Sequence, residues 1–543
     1  MPTAAFDLEI RRRNLERAAE GVADVVIIGC GITGAGVARE AALRGLATVV
    51  LDKGDFASGT SSRSSKLIHG GLRYLAQGDI ALVREAARER AVLRRLAPHL
   101  ARPTTMFIPT ASRAGRMKMQ AGLWSFEKLA GDQAGEKYGV LDRDEALAAE
   151  PGLKKSPLAG AVTFQEYMTD DARLVLETVQ SAADHGALAA SYAEVVSIDT
   201  DPCGLRLGVR DEVSGQALVV RTRSVVNAAG PWFDRVRGLS GAGAGSLLQL
   251  TRGIHLVVRS EHLPARHSVV LKSPDGRSTF VVPRGNTVYI GTTDTHYKGD
   301  PEEPGVSEQD TDYLLQSVAA TFEQAPARSD IVGCWSGVRP LLAQEGKSPS
   351  EISRRDEIMI GPGPVVAIAG GKLTTYRRMS ERVCMELLRL LGRTLDPKVD
   401  SARVPLAGGG EAEQRAARDG APGLADGRLQ ARLWETYGAA ARDIVEAIAA
   451  SPARAECLGD RCELTLAEIE HAVRREMVVS LDDLLRRRSR LAMFDTAAAI
   501  DVAPRAARVL ASLLGWDDAR TRQEVERATG LWSSELRTVR GAP

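Results

Sequence analysis

Val25-Val26-Ile27-Ile28 is an unbroken apolar run of β-branched residues, the pattern of a strand buried on both faces in a parallel sheet. A glycine turn follows. Apolar positions then recur at helical spacing over 35–44, with Gly45 placed to close that helix. A second strand over 47–51 ends at Asp52, so the spacing predicts a strand–turn–helix–strand unit with short connections. Residues 7–20 and 79–97 read as charged helices, and 115–150 as irregular helix. Strands are predicted near 161–164, 188–198, 204–210, 217–227 and 254–259. A hairpin pairs 279–283 with 287–291 around Pro283-Arg284-Gly285-Asn286. Helices recur at 307–322 and 374–391, which makes the middle of the chain mixed α/β with much antiparallel strand.

The pattern changes near residue 400. Gly408-Gly409-Gly410 and the Gly/Ala/Asp-rich stretch that follows predict a linker over 401–427. Helical periodicity then dominates 429–450, 466–490 and 504–514, giving a separate helical domain over 428–543. A length of 543 residues fits two to four domains at about 150 residues each.

Charge excludes more than it assigns. The 71 basic and 70 acidic residues leave no overall field for nucleic acid, so any anion preference must be local. Six scattered cysteines form no CxxC pair, which points to a reduced, cytosolic-facing chain with neither a disulfide framework nor a metal site. No apolar run reaches the roughly 18 residues of a membrane span, so membrane contact is expected to be peripheral. Asp7 and Glu9, with Arg11 to Arg13 and no apolar stretch behind them, argue against a signal peptide. The run Arg486-Arg487-Arg488-Ser489-Arg490 has two readings, a patch for anionic lipid or a solvated helix face with internal ion pairs.

The chemistry begins at Gly29-Cys30-Gly31-Ile32-Thr33-Gly34, a GxGxxG turn between strand and helix. Gly29 suits the tight turn, Gly31 lets backbone approach a pyrophosphate, and Gly34 lets helix and strand pack closely. Asp52 stands where an acid accepts from ribose hydroxyls, which disfavours NADP without separating FAD from NAD.

Longer segments separate them. Residues 60–75 (TSSRSSKLIHGGLRYL), 170–174 (DDARL), 227–232 (NAAGPW), 291–294 (GTTD) with 297–300 (YKGD), 336–340 (SGVRP) and 370–377 (GGKLTTYR) resemble, in order, the FAD-dependent glycerol-3-phosphate dehydrogenases. Residues 480–485 (SLDDLL) resemble that family's C-terminal domain. The family more often has Glu where this chain has Asp52. The resemblance implies an α/β fold over 20–400, with a Rossmann-like FAD-binding domain (about 20–115, 160–235 and 330–400) interleaved with a mixed-sheet substrate domain (about 116–160 and 236–330). An all-helical C-terminal domain follows.

The resemblance also implies non-covalent FAD and oxidation of sn-glycerol 3-phosphate to dihydroxyacetone phosphate, with the C2 hydride going to flavin N5. Electrons pass to a membrane quinone in the dehydrogenases and to oxygen in the related oxidases. Oxidases usually carry an insertion before the C-terminal region, and none is evident here, which favours a quinone-linked enzyme at the cytoplasmic membrane face. An amino-acid oxidase of the same fold and a non-catalytic flavin-binding protein are the competing readings. A homodimer stays open.

Carried over residue by residue, the cofactor set is Gly29, Gly31, Gly34 and Asp52, then Thr60, Ser61, Ser62, Ser65 and Gly70, then Gly230, Gly371, Leu373 and Thr374. His69, Arg339 and Lys372 are the catalytic candidates: His69 a proton acceptor or a partner of the isoalloxazine, Arg339 a contact to the phosphate or nearby oxygens that also favours the alkoxide, and Lys372 a cation beside the reduced flavin or a contact to substrate oxygens. Arg73, Tyr74, Thr292 and Arg354 are the candidates for substrate contact, arginine forks being suited to a phosphate.

Overall fold

The computed structural model describes residues 5–70, 79–131, 137–241, 245–273, 275–343, 357–394 and 396–541. Its first body is a six-stranded sheet in the order Glu357–Ile360, Val365–Ala369, Val225–Asn227, Val25–Ile28, Thr48–Leu51, Leu188–Ala190. The pairings are parallel except at the Glu357–Ile360 edge. Because successive side chains point to opposite faces, the Val25–Ile28 run feeds two cores. Val25 and Ile27 pack under the helices Ile32–Leu43, Asp171–Asp184 and Tyr376–Leu390. Val26 and Ile28 pack against Leu205, Leu207 and Val220 of a four-stranded sheet on the other face.

The second body is a ten-stranded sheet. Its long central strand, Leu248–Arg259, pairs antiparallel with Ile331–Leu342 on one side and Thr287–Gly291 on the other. The expected hairpin is present as Ser278–Arg284 and Thr287–Gly291. The helix Glu308–Thr321 buries Leu314 and Val318 against Ile254, Leu256 and Val258.

Several expectations change. Arg102–Thr110, Gly160–Met168 and Ile331–Leu342 hydrogen-bond into the second sheet, although the expected boundaries place all three segments in the cofactor part. Arg102–Thr110 carries Pro103 and Pro109, which hide a strand from period counting, yet it pairs with Gly160–Met168 over its whole length. The 115–150 stretch contains a short strand, Gly139–Leu141, between two helices. The 401–427 stretch is packed as well as connecting. Leu406 is buried, Gly408 donates its N–H to Glu177, and Glu411–Asp419 is helical. The C-terminal domain adds a hairpin, Cys457–Gly459 with Cys462–Thr465, to its helices.

The basic run has the expected internal ion pairs, Arg486 with Asp482 and Arg487 with Asp482 and Asp483, but it is buried rather than solvated or lipid-facing. Arg486, Arg487 and Arg488 are 4–5% exposed, and carboxylates distant in sequence neutralise them: Asp55 holds Arg487 and Arg488, and Glu535 holds Arg486.

Candidate active site

Between the two bodies lies a cavity of about 1650 Å³, larger than the usual small-molecule pocket. Its nucleotide end is built by contiguous residues. Gly29 has φ +95°, and a Cβ on Gly34 would stand 1.8 Å from the Gly29 carbonyl oxygen, so the helix can pack on the strand only with glycine there. Gly31 faces Ser61, whose Oγ accepts from the Ile32 N–H at the N-terminus of Ile32–Leu43 at 2.9 Å. Asp52 accepts from the Cys30 N–H at 2.6 Å and the Gly54 N–H at 2.9 Å. Burial raises its carboxyl to about 6 against the pull of those two donors. The Trp232 indole N–H is buried without a hydrogen-bond partner, and the Lys53 ammonium sits 3.9 Å from a Trp232 ring centroid.

The chemistry end is built by register. His255, on Leu248–Arg259, lies opposite Trp335 on one neighbour strand and Gly291 on the other. A Cβ at Gly291 would stand 2.0 Å from the His255 ring. The imidazole stacks on Trp335 at 4.6 Å and 11°, and its Nε2 shares a 2.9 Å hydrogen bond with Ser65 Oγ. Its Nδ1 is buried without a hydrogen-bond partner. Burial, then the charges of Arg339 and Lys66, push its pKa well below the ordinary 6.5, so it is neutral at physiological pH.

Arg339 donates to Thr292 Oγ1 at 2.9 Å, to the Thr293 carbonyl at 3.1 Å and to Asp294 at 3.0 Å. A Cβ at Gly253 would stand 2.4 Å from both Arg339 Nη2 and Thr292 Oγ1, so bare backbone is what lets this pair sit there. Lys372 follows Gly370 and Gly371, both at positive φ, and begins the turn into Tyr376–Leu390. His69 stands 5.5 Å from Phe280 between ring centroids. His69, Thr292, Arg339 and Lys372 thus line the same cavity as Gly29, Gly31 and Asp52.

Of the other sequence candidates, Thr60, Ser61 and Ser65 line the cavity, as do Gly230, Gly371, Leu373 and Thr374. Thr60 spends its hydroxyl on the Val338 carbonyl. Gly34 supports the turn from behind, and Ser62 is buried off the cavity wall. Gly70 also lies off the wall. Its N–H is held by Glu166, and a Cβ would stand 2.7 Å from the Arg90 guanidinium. Arg73, Tyr74 and Arg354 lie outside the described residues.

His255 is not among the sequence candidates, because locally it is one polar residue beside Leu256-Val257-Val258. The resemblance segments 60–66 and 170–174 also gain a physical reason. Lys66 and Asp171 form a buried 2.6 Å ion pair, and Asp171 also accepts from Ser64. The cleft fits FAD. Bare glycines and a helix N-terminus suit a pyrophosphate, Asp52 a ribose, and unpartnered Trp232 Nε1 and His255 Nδ1 a polar cofactor and substrate.

Residues 24–377 match a family described as FAD dependent oxidoreductase, and 399–521 match the C-terminal domain of alpha-glycerophosphate oxidase. An aerobic glycerol-3-phosphate dehydrogenase of Staphylococcus aureus is 35% identical, with 97% of each chain covered. One of Staphylococcus epidermidis is 34% identical over 93% of this chain and 94% of its own. The solved glycerol-3-phosphate dehydrogenase from Bacillus halodurans, complexed with FAD, is 29% identical with a TM-score of 0.80 and covers 98% of both chains.

Proposed function

This chain belongs to the family of FAD-dependent glycerol-3-phosphate dehydrogenases, and from that premise we propose that it oxidises sn-glycerol 3-phosphate to dihydroxyacetone phosphate and passes the electrons to a membrane quinone. The observation that carries the reading is one cavity shared by both sets of residues. One wall holds the glycine turn, Asp52 and Lys372, and the other brings His69, His255 and Arg339 within reach of the same bound molecule. FAD, when bound, supplies the acceptor for the hydride leaving C2.

The chain's own residues then have distinct tasks. His69 takes the C2 hydroxyl proton on a ring nitrogen. His255 is ill suited to that task, because burial, Arg339 and Lys66 oppose a positive charge on its ring. It serves as a neutral hydrogen-bonding wall, fixed by Ser65 and Trp335. Arg339, braced by Thr292 and Asp294, favours negative charge on the C2 oxygen. Lys372 offsets the negative charge that arrives with the hydride. Arg73, Tyr74 and Arg354 are assigned to the substrate phosphate on the resemblance of their segments.

A quinone is favoured over oxygen because the two family matches end at 377 and resume at 399, leaving no room for a long insertion between them. The name of the second match supports oxygen as the alternative acceptor. Among the described residues no helix is long and apolar enough to cross a membrane, so contact with a quinone pool is assigned to a peripheral surface.

The test is anaerobic addition of glycerol 3-phosphate to the flavin-loaded protein, with free glycerol and a D-amino acid as controls. Bleaching of the flavin by glycerol 3-phosphate alone is expected. Reoxidation by quinone faster than by oxygen is expected next, and the reverse order would make the enzyme an oxidase. Bleaching by the amino acid, or by nothing, would sink the substrate assignment.

A further inference from the structure

The buried arginines of the C-terminal domain do not pair only with carboxylates of that domain. Asp55 lies in the loop that follows the second parallel strand, only three residues beyond Asp52, and is 1% exposed. It accepts from Arg487 Nε at 2.6 Å and from Arg488 at 2.7 and 2.8 Å. The segment Asp483–Arg488 is a turn of π-helix, a form frequent at functional sites, and it brings two consecutive guanidiniums onto one carboxylate. Arg487 also reaches Asp482 and Asp483, and Arg488 reaches the Glu476 carbonyl.

The same loop holds the nucleotide end of the cleft. The Ala57 N–H donates to the Cys30 carbonyl inside the glycine turn, and the Gly54 N–H donates to Asp52. The Gly54 carbonyl accepts from the Tyr192 N–H, while the Tyr192 hydroxyl donates to Asp483. Two routes therefore run from the 483–488 turn to the residues that face the nucleotide, one through Asp55 and one through Tyr192. Arg486 takes no part in either, since its partners are Asp482 and Glu535.

We propose that Asp55 is a positioning residue for FAD: by pinning the 53–58 loop to Arg487 and Arg488, it makes the C-terminal domain hold Asp52 and the Gly29–Gly34 turn in cofactor-binding geometry. This rests on FAD as the cofactor and gives the C-terminal domain a task in binding it. The coupling is reciprocal, so bound FAD strengthens the docking of that domain.

The test titrates flavin-free full-length protein with FAD and follows flavin fluorescence. Asp55→Asn keeps the shape and removes the charge, and a dissociation constant weaker by about tenfold is expected. The KM for glycerol 3-phosphate at saturating FAD is expected to stay unchanged. Glu535→Gln takes away a partner of Arg486 in the same cluster, so it is expected to lower the thermal midpoint while leaving FAD affinity intact. Asp55→Glu, which keeps the charge, is expected to recover most of the affinity. It also serves, with Arg487→Lys, if Asp55→Asn does not fold. Equal FAD affinity in wild type and Asp55→Asn, or equal weakening by Asp55→Asn and Glu535→Gln, would overturn the proposal. Failure of the wild type itself to take up FAD would refute the cofactor reading instead.

Discussion

The two ends of the cleft are ordered in different ways. At the nucleotide end, residues 25–61 of one continuous segment supply the strand, the turn, the helix N-terminus, the acid and the serine that caps the turn. At the chemistry end, His255, Thr292 and Arg339 come from separate segments, and the register of three strands brings them together. The first kind of order is covalent proximity and tolerates no added atom. The second depends on pairing over long sequence separations, so its residues can change role without unfolding the turn.

Gly34→Ala is the strongest way to break this contrast. Its Cβ would meet the Gly29 carbonyl oxygen at 1.8 Å, backbone against backbone, with no flexible side chain to yield. The expected cost is about 3 kcal/mol or more, read as a lower thermal midpoint and colourless protein. A yellow variant with the wild-type midpoint would show that the turn has slack.

Arg339→Met should act at the other end alone. It keeps most of the side-chain volume and removes the charge held by Asp294 and Thr292. A fall in kcat/KM of about 10²–10³ is expected, with FAD still bound and its dissociation constant unchanged. Loss of FAD as well would mean that the two ends are not separable.

The same contrast explains what the sequence disclosed. The parallel strands, the glycine turn and Asp52 were legible because each is a local pattern with one physical use. His69, Arg339 and Lys372 were legible only through resemblance, since nothing near Lys372 in sequence announces a shared cavity with His69. His255 went unassigned because its meaning lies in Trp335, Gly291 and Ser65, none of them a sequence neighbour. Gly70 is the converse case: its protein neighbours, Arg90 and Glu166, lie far from it in sequence, so the glycine motif alone did not show them. The run 486–490 misled because five neighbouring residues cannot show that Asp55 lies across from them.

Asp52→Asn sharpens the comparison at the nucleotide end. The buried carboxyl titrates at about 6, above its ordinary 3.8. Its contribution to the stability of the flavin-free fold is therefore full below 3.8 and lost as pH rises through 6. Ribose hydroxyls donating to the ionised form would offset that loss. FAD affinity should then tighten by about tenfold between pH 5 and 7, and the Asn variant should flatten the profile. An identical pH profile in wild type and variant would remove Asp52 from cofactor binding.

The smallest effect tests the neutral histidine at the chemistry end. Unfolded, His255 takes a proton near 6.5; folded, burial and the charges of Arg339 and Lys66 hold its pKa well below that. The unfolded chain therefore binds more protons as the solution is acidified. The stability contributed by the neutral ring is present above pH 6.5 and is lost as pH falls from there toward the folded value. For one proton the slope is at most about 1.4 kcal/mol per pH unit. His471, also buried and lowered, adds a term of the same sign. His255→Phe keeps a ring against Trp335 but carries no proton, so denaturation midpoints at pH 7.5, 6.5 and 5.5 should show a shallower acid slope than wild type. An unchanged slope would mean that His255 is already protonated in the fold. The ring would then carry a positive charge beside Arg339, and His255 could not serve as the neutral hydrogen-bonding wall assigned to it.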